Sequence, residues 1–226
     1  MTGKRVPLLL LVMAGMGLFV AAAAGQVAEE VNEIYQSHEG REQMLGILSA
    51  PDRAETLQAE KLIASLDIVP GSTVVDLGTG AGFLLPLLSE AVGSEGVVIA
   101  QDIYQDFLDA ARQTAEAARV KNVEFLLGNE KDPMLPEDAV DLVIVVDAYH
   151  HFSYPAEMLA GIRRGLNDSG RLAILDYYKS GFRDPEHVRL DKLDVVHEIV
   201  SNGFRLLSNR DHVPGTQYLL QFAKSE

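Results

Sequence analysis

The amino-acid sequence predicts an α/β fold built on a mainly parallel sheet. Two observations carry this. Short apolar runs rich in Val, Ile and Leu alternate along the chain with segments of helical period. One run, Thr73 to Leu77, leads through three alternating glycines into a helix-like segment and then a second apolar run that ends in an acid, Asp102, which is the layout of a βαβ unit.

The elements follow in order. Residues 1–25 read as a targeting segment. Lys4 and Arg5 supply a positive start, Leu8 to Val20 is uncharged and apolar, and the small residues Ala21 to Gly25 close it. This is the pattern of a secretory signal peptide, with cleavage expected before Gly25 or Gln26. The alternative is an uncleaved anchor, since Leu8 to Ala24 is about the shortest stretch able to span a bilayer. Residues 26–69 read as a helical segment, with Val31, Ile34 and Tyr35 on one face and a longer helix over Arg53 to Leu66. Pro70-Gly71 is a turn, and residues 70–226 form the main domain.

Within that domain strands are expected at Thr73–Leu77, Val97–Ala100, Val123–Leu127, Leu142–Val146 and Leu172–Leu175, with two more at Phe204–Leu207 and Tyr218–Phe222. Helices are expected over about Gly82–Val92, Tyr104–Arg119 and Pro155–Leu166, and from Pro185 to about Asn202 with Asp184 as its N-cap. Asn167-Asp168-Ser169-Gly170 reads as a turn before the fifth strand.

Composition narrows the class. Hydrophobic content of 47% and charged content of 23% are those of a folded globular chain, not a disordered one. A net charge of −14 repels phosphate backbones and anionic lipid heads, so no nucleic-acid partner is expected. The absence of cysteine excludes disulfides, thiolate metal sites and a Cys nucleophile.

The glycine turn sharpens the reading. Glycines allow a sharp turn and a close approach to a ligand, and an acid some twenty residues on can accept hydrogen bonds from a ribose. A dinucleotide fingerprint would place its third glycine at position 83, which is Phe83. The pattern here is Asp-x-Gly-x-Gly-x-Gly, from Asp76 to Gly82. An Asp at the strand end suits a cationic or hydrogen-bond-donating ligand better than a pyrophosphate, which argues against NAD, FAD and a P-loop nucleotide.

With these residues the chain resembles the class I S-adenosylmethionine-dependent methyltransferases, of the methyltransferase-11/25-like kind and of an exported or membrane-anchored bacterial type. The resemblance is close over Val69 to Asp176 and looser over Ala28 to Phe222. It implies a Rossmann-like, doubly wound, mostly parallel seven-stranded sheet with helices on both faces, and S-adenosyl-L-methionine as cofactor. It implies that Asp76, Gly78, Gly80 and Gly82 wrap the methionine part and ribose, that Asp102 holds the ribose hydroxyls, and that Ile103 lies beside the adenine. The family commonly carries Gly-Asp-Ala after the third strand. Here Gly128-Asn129-Glu130 stands there, so the contact to the adenine amino group falls to Asn129, with Glu130 or Asp132 as alternatives. Asp147 before Tyr149-His150-His151, and Arg164-Gly165-Leu166 through Gly170-Arg171-Leu172, also match the family's pattern.

The function expected is methyl transfer to a small-molecule acceptor, entering over the carboxyl ends of strands four and five. His150 or His151 can act as general base, with Asp147 at the pocket wall. As a metal site the two histidines lack a third ligand, and adjacent residues often point apart. Tyr149, Asp176, Tyr177, Tyr178 and His187 can face the same crevice, while Phe83 and Tyr104 read as packing residues. The leader points to export, to the periplasm or to a membrane anchored through the N-terminal segment. S-adenosylmethionine is made in the cytoplasm, so a non-catalytic exported binding protein is the second reading and a nicotinamide-dependent oxidoreductase the third.

Overall fold

The computed structural model describes residues 27–225; the leader expected over residues 1–25 lies outside the described residues. Among those described, no helix is long and apolar enough to cross a membrane.

The sheet has seven strands: β1 (Thr73–Leu77), β2 (Val97–Asp102), β3 (Val123–Leu127), β4 (Val140–Val146), β5 (Leu166–Tyr177), β6 (Phe204–Val213) and β7 (Gln217–Lys224). Their spatial order is β3-β2-β1-β4-β5-β7-β6. The first five in that order run parallel, and β7 runs antiparallel to both β5 and β6. The chain winds outward in one direction from β1 to β3, then restarts at β4 on the other side of β1. That reversal opens a crevice at the carboxyl ends of β1 and β4, where open α/β sheets bind ligands.

Alternate residues of the central strands feed two cores. Val75, Leu77, Val143 and Val145 pack on one face beneath α6 (Pro155–Gly165) and α7 (Lys192–Ser201), through Leu159, Ile162, Val195 and Ile199. Val74 and Ile144 point the other way, onto α4 (Leu85–Val92) and α5 (Gln105–Ala117) through Leu85, Leu88 and Ala111. Both faces of the middle strands are covered, which is why these runs are apolar throughout rather than alternating.

Several boundaries differ from the expectation. The N-terminal segment is not two regular helices. A 3-10 turn at Glu33–Gln36 is followed by α1 (His38–Leu48), and the predicted helix over Arg53–Leu66 divides into α2 (Arg53–Thr56) and α3 (Ala59–Ala64). The break is at Gln58, whose φ of 54° is left-handed, so the chain turns and buries Leu57 against the core. The helix expected from Pro185 is likewise divided, into a 3-10 turn at Pro185–His187 and then α7. Asp184 does cap that turn, accepting from the Glu186 N–H.

The turn expected at Asn167–Gly170 lies inside β5. It is an irregularity in the β4 pairing, where the register moves from Val140 opposite Leu166 to Leu142 opposite Arg171. The turn chemistry is intact: Asn167 Oδ1 accepts from the Ser169 N–H, and its amide donates to Asp141. Strand pairing resumes on either side because Leu166 and Leu172 are both fully buried.

Leu62, with no exposed surface, ties α3 to the sheet. Leu62→Ala is expected to lower stability by about 2–5 kcal/mol, read as a shifted urea midpoint at unchanged slope.

Candidate cofactor and acceptor site

β1 ends at Asp76-Leu77 and the chain turns at once through the glycines. Gly78 and Gly80 have φ of 76° and 54°, the left-handed region that favours glycine. A Cβ on Gly78 would lie 2.9 Å from the Ala148 Cβ, and one on Gly80 would lie 3.0 Å from Leu48 Cδ1. Both glycines border the main pocket. Gly82 does not border it. A Cβ there would meet Ala111 Cα at 2.9 Å, so this glycine allows the start of α4 to approach α5.

Two buried carboxylates flank the turn. Asp102, at the end of β2, accepts from the Gly80 N–H at 3.0 Å with Oδ2, and from the Ile103 and Tyr104 N–H groups at 2.8 and 3.1 Å with Oδ1. Asp76 Oδ2 accepts from the Thr79 hydroxyl at 2.7 Å. Neither is hydrogen-bonded to a cation. Burial pushes both up to about 6 from an ordinary 3.8, against the pull of those hydrogen bonds. Ile103, Tyr104 and Phe83 line the same pocket, so the two aromatic residues expected only to pack also form its wall.

Asp147 follows β4 with a φ of 51°, a strained conformation for a non-glycine residue. Its carboxylate accepts from Gln217 Nε2 at 2.6 Å and from Arg53 Nη2 at 3.4 Å. Burial raises it too, to about 6. Arg53 lies over the Phe83 ring with Cζ 4.8 Å from its centroid, and its buried Nε has no partner.

Asn129 is exposed and turned away from the pocket. Its Oδ1 accepts from the Lys131 and Asp132 N–H groups, closing the loop on itself. Glu130 lines the pocket instead, while Asp132 is held by Arg164.

His150 and His151 lie on a 3-10 turn with ring centroids 4.1 Å apart. His150 is buried, its Nδ1 2.8 Å from Asp176 Oδ1 and its N–H donating to Asp176 Oδ2. Burial disfavours its charge, but the Asp176 carboxylate prevails and raises it. His151 Nδ1 is 2.8 Å from Asn32 Oδ1. Burial, then the neighbouring His150 and His187, holds it well below the ordinary range, so it is neutral. His151 borders the pocket and His150 stands behind it. His187 comes in from the loop after β5, 5.2 Å from His151 between centroids.

Sequence reasoning missed the contribution of the N-terminal segment. Asn32, Tyr35, Leu48 and Arg53 all line the pocket. No motif marks them, and their only signal was the apolar face of Ile34 and Tyr35.

A family described as a methyltransferase domain matches residues 68–217. The chain belongs to that family. A solved S-adenosylmethionine-dependent methyltransferase from Aquifex aeolicus superposes with a TM-score of 0.75 at 30% identity, covering 80% of this chain and 96% of that one. A ubiquinone/menaquinone biosynthesis C-methyltransferase from Marinomonas is 31% identical over 118 residues, 52% of this chain and 47% of its own. An arsenite methyltransferase from Halobacterium salinarum is 32% identical over 124 residues, 55% of this chain and 32% of its own. The chain therefore spans about a third to a half of the curated relatives it matches. In this methyltransferase domain the cofactor is S-adenosylmethionine, and the site suits it. Asp76 and Asp102 are buried acids with no hydrogen-bonded cation and can accept from a ligand's donors, and two glycines leave a cradle that side chains would fill.

The buried acids set a pH dependence. A carboxyl at about 6 in the folded state and near 3.8 when unfolded makes the folded protein bind the extra proton between those values. Stability contributed by Asp76 therefore falls as pH rises through that window. Thermal melts of unliganded Asp76→Asn should match the native chain at pH 4 and exceed it by several degrees at pH 7. An equal difference at both values would contradict a burial-driven shift.

Proposed function

We propose that the protein transfers the methyl group of S-adenosylmethionine to a small-molecule acceptor. The observation that supports this most is the pair of buried carboxylates, Asp76 and Asp102, bracketing the Gly78–Gly80 cradle without a hydrogen-bonded cation. Bound there, the cofactor supplies a methyl group activated on a sulfonium. Asp102 would take the ribose hydroxyls through its remaining lone pairs. Asp76 would face the methionine ammonium. Arg53, with its free Nε, would face the carboxylate at the same end, and Ile103 and Tyr104 would flank the adenine, with Glu130 in reach of its amino group. Displacement at a methyl carbon needs alignment more than proton transfer, so the rigid ends of β1, β2 and β4 carry most of the work.

The acceptor side is the wall of Asp147, His151 and, behind it, His150. Neutral His151 is the group placed to take a proton from a hydroxyl or amine. Asp147, held by Gln217 and Arg53, fixes the wall's geometry rather than moving protons. The acidic chain favours a compact acceptor over a polyanion such as nucleic acid.

Calorimetric titration with S-adenosylmethionine and S-adenosylhomocysteine tests the cofactor half. Both should bind, and Asp102→Ala should weaken binding by about 10- to 100-fold, the loss of hydrogen bonds to a charged acceptor. Failure of both ligands to bind would overturn the reading. A labelled methyl donor followed by mass spectrometry of the product identifies the acceptor.

The chain is further proposed to be an exported methyltransferase, on the strength of the basic, apolar and small-residue order of residues 1–25. Intact mass of the protein from fractionated Gram-negative cells checks this. A periplasmic species beginning at Gly25 or Gln26 supports export. A full-length species in the membrane fraction would instead mark an anchor.

A further inference from the structure

We propose that His150, His151 and His187 form a binding site for a transition-metal dication of the Zn2+ class. One ring nitrogen from each lies within 4.8 Å of the other two. Three imidazoles around a tetrahedral ion at about 2.1 Å stand about 3.4 Å apart, so small rotations of the rings close the set. The donor set is all nitrogen, which suits Zn2+, Co2+ or Ni2+ and not Mg2+ or Ca2+. Three protein ligands with a fourth position open is the arrangement of a catalytic rather than a structural ion.

The orientation of the rings is the stronger observation. His150 Nδ1 is held at 2.8 Å by an Asp176 oxygen. His151 Nδ1 is held at 2.8 Å by Asn32 Oδ1. The Asn32 amide is itself fixed, since its Nδ2 donates to the His151 carbonyl and the Ser153 hydroxyl. Oδ1 must then accept, so His151 carries its proton on Nδ1. In His151 Nε2 is left with its lone pair, and in His150 Nε2 is the nitrogen not engaged by Asp176, from which an ion would displace a proton. An oxygen acceptor behind each of these two imidazoles is the support that metal-ligating histidines characteristically have. The rings also pack as aromatics, with His187 stacked on Phe182 at 5.0 Å. Packing alone does not explain why a buried Asp and a buried Asn, from elements remote in sequence, each hold an Nδ1.

The surrounding charges favour a cation. Asp176 and Asp147 lie beside His150, and Asp184 beside His187. Of the positive groups nearby, Arg189 is bound by Glu198 at 2.6 and 3.0 Å and Arg53 is paired with Asp147 at 3.4 Å. His151 borders the pocket, so the open position faces the acceptor side. With an ion bound the histidines are ligands, and a bound acceptor oxygen is acidified by the ion rather than by imidazole. Binding itself does not depend on methyl transfer and is tested separately.

The test is titration of the chelator-treated full chain with Zn2+, and with Co2+ followed by visible absorption. One ion per chain is expected, with Co2+ giving the intense bands of four-coordination. His187→Ala should weaken Zn2+ binding by about 100-fold or more and abolish those bands. Asn32→Ala should weaken it by about 10- to 100-fold, as loss of an outer hydrogen bond does. His197→Ala, on the exposed face of α7, should leave it unchanged. Should His187→Ala prove unstable, His187→Gln carries the same expectation. Zn2+ affinity equal in His187→Ala and the native chain, weak six-coordinate Co2+ bands, or equal competition by Mg2+ would each overturn the proposal.

Discussion

The hydrogen bond from the Gly80 N–H to Asp102, 3.0 Å long, is the contact on which the site depends. It joins the turn after β1 to the end of β2. Two neighbouring bonds lie alongside it, from the Gly78 and Thr79 N–H groups to the Gln101 carbonyl at 2.9 and 3.0 Å. Together they bend the turn over the carboxyl end of β2. A side chain at Gly78 would collide with Ala148, one at Gly80 would press on the end of Leu48, and at both the left-handed φ disfavours any other residue. The same bond leaves two carboxylates buried near each other with only neutral donors, an arrangement that costs free energy in the unliganded protein. Hydrogen-bond donors on a ligand would offset that cost.

The crevice is closed from above by the N-terminal segment. Val27 donates to the Ser153 carbonyl at 3.0 Å, Asn32 reaches the His151 carbonyl at 2.8 Å, and Arg53 reaches Asp147. Leu48 rests on Gly80. These contacts join the segment to the His151–Ser153 stretch, to Asp147 and to the glycine turn, so its docking and the geometry of the rim are coupled. Arg41 strengthens the attachment through its 2.7 Å pair with Asp106 on α5.

How much of this the sequence made legible follows from which forces act locally. β1 and β3 were placed to the residue, because apolar β-branched runs bounded by turn signals are local. The Asp76–Gly82 turn and Asp102 were readable for the same reason: backbone chemistry demands those residues at that spacing. Gly82 was legible as a glycine but not in its role, which is set by Ala111 on another helix. Asn129 was misplaced because its side chain satisfies its own loop, an outcome that competes with ligand binding and leaves no mark in composition. The split at Gln58 and the β5 irregularity arise from burial of Leu57 and Leu166, a tertiary demand that overrides a local pattern.

The two halves of the site therefore obey different rules. The half proposed to hold the cofactor is written in one continuous stretch, since strand, turn, helix and strand are neighbours in sequence. The half proposed to face the acceptor is assembled from side chains of remote origin. Asn32, His151, Asp176 and His187 meet only because β4 and β5 are paired and the N-terminal segment folds across both. Adjacent histidines ordinarily diverge. Here the 3-10 turn brings the rings together, and two separate acceptors hold them there. A third imidazole delivered by the loop after β5 then completes a face of nitrogen donors beside the pocket. The chemistry of a site built on a shared fold can thus be set by a few residues outside any motif.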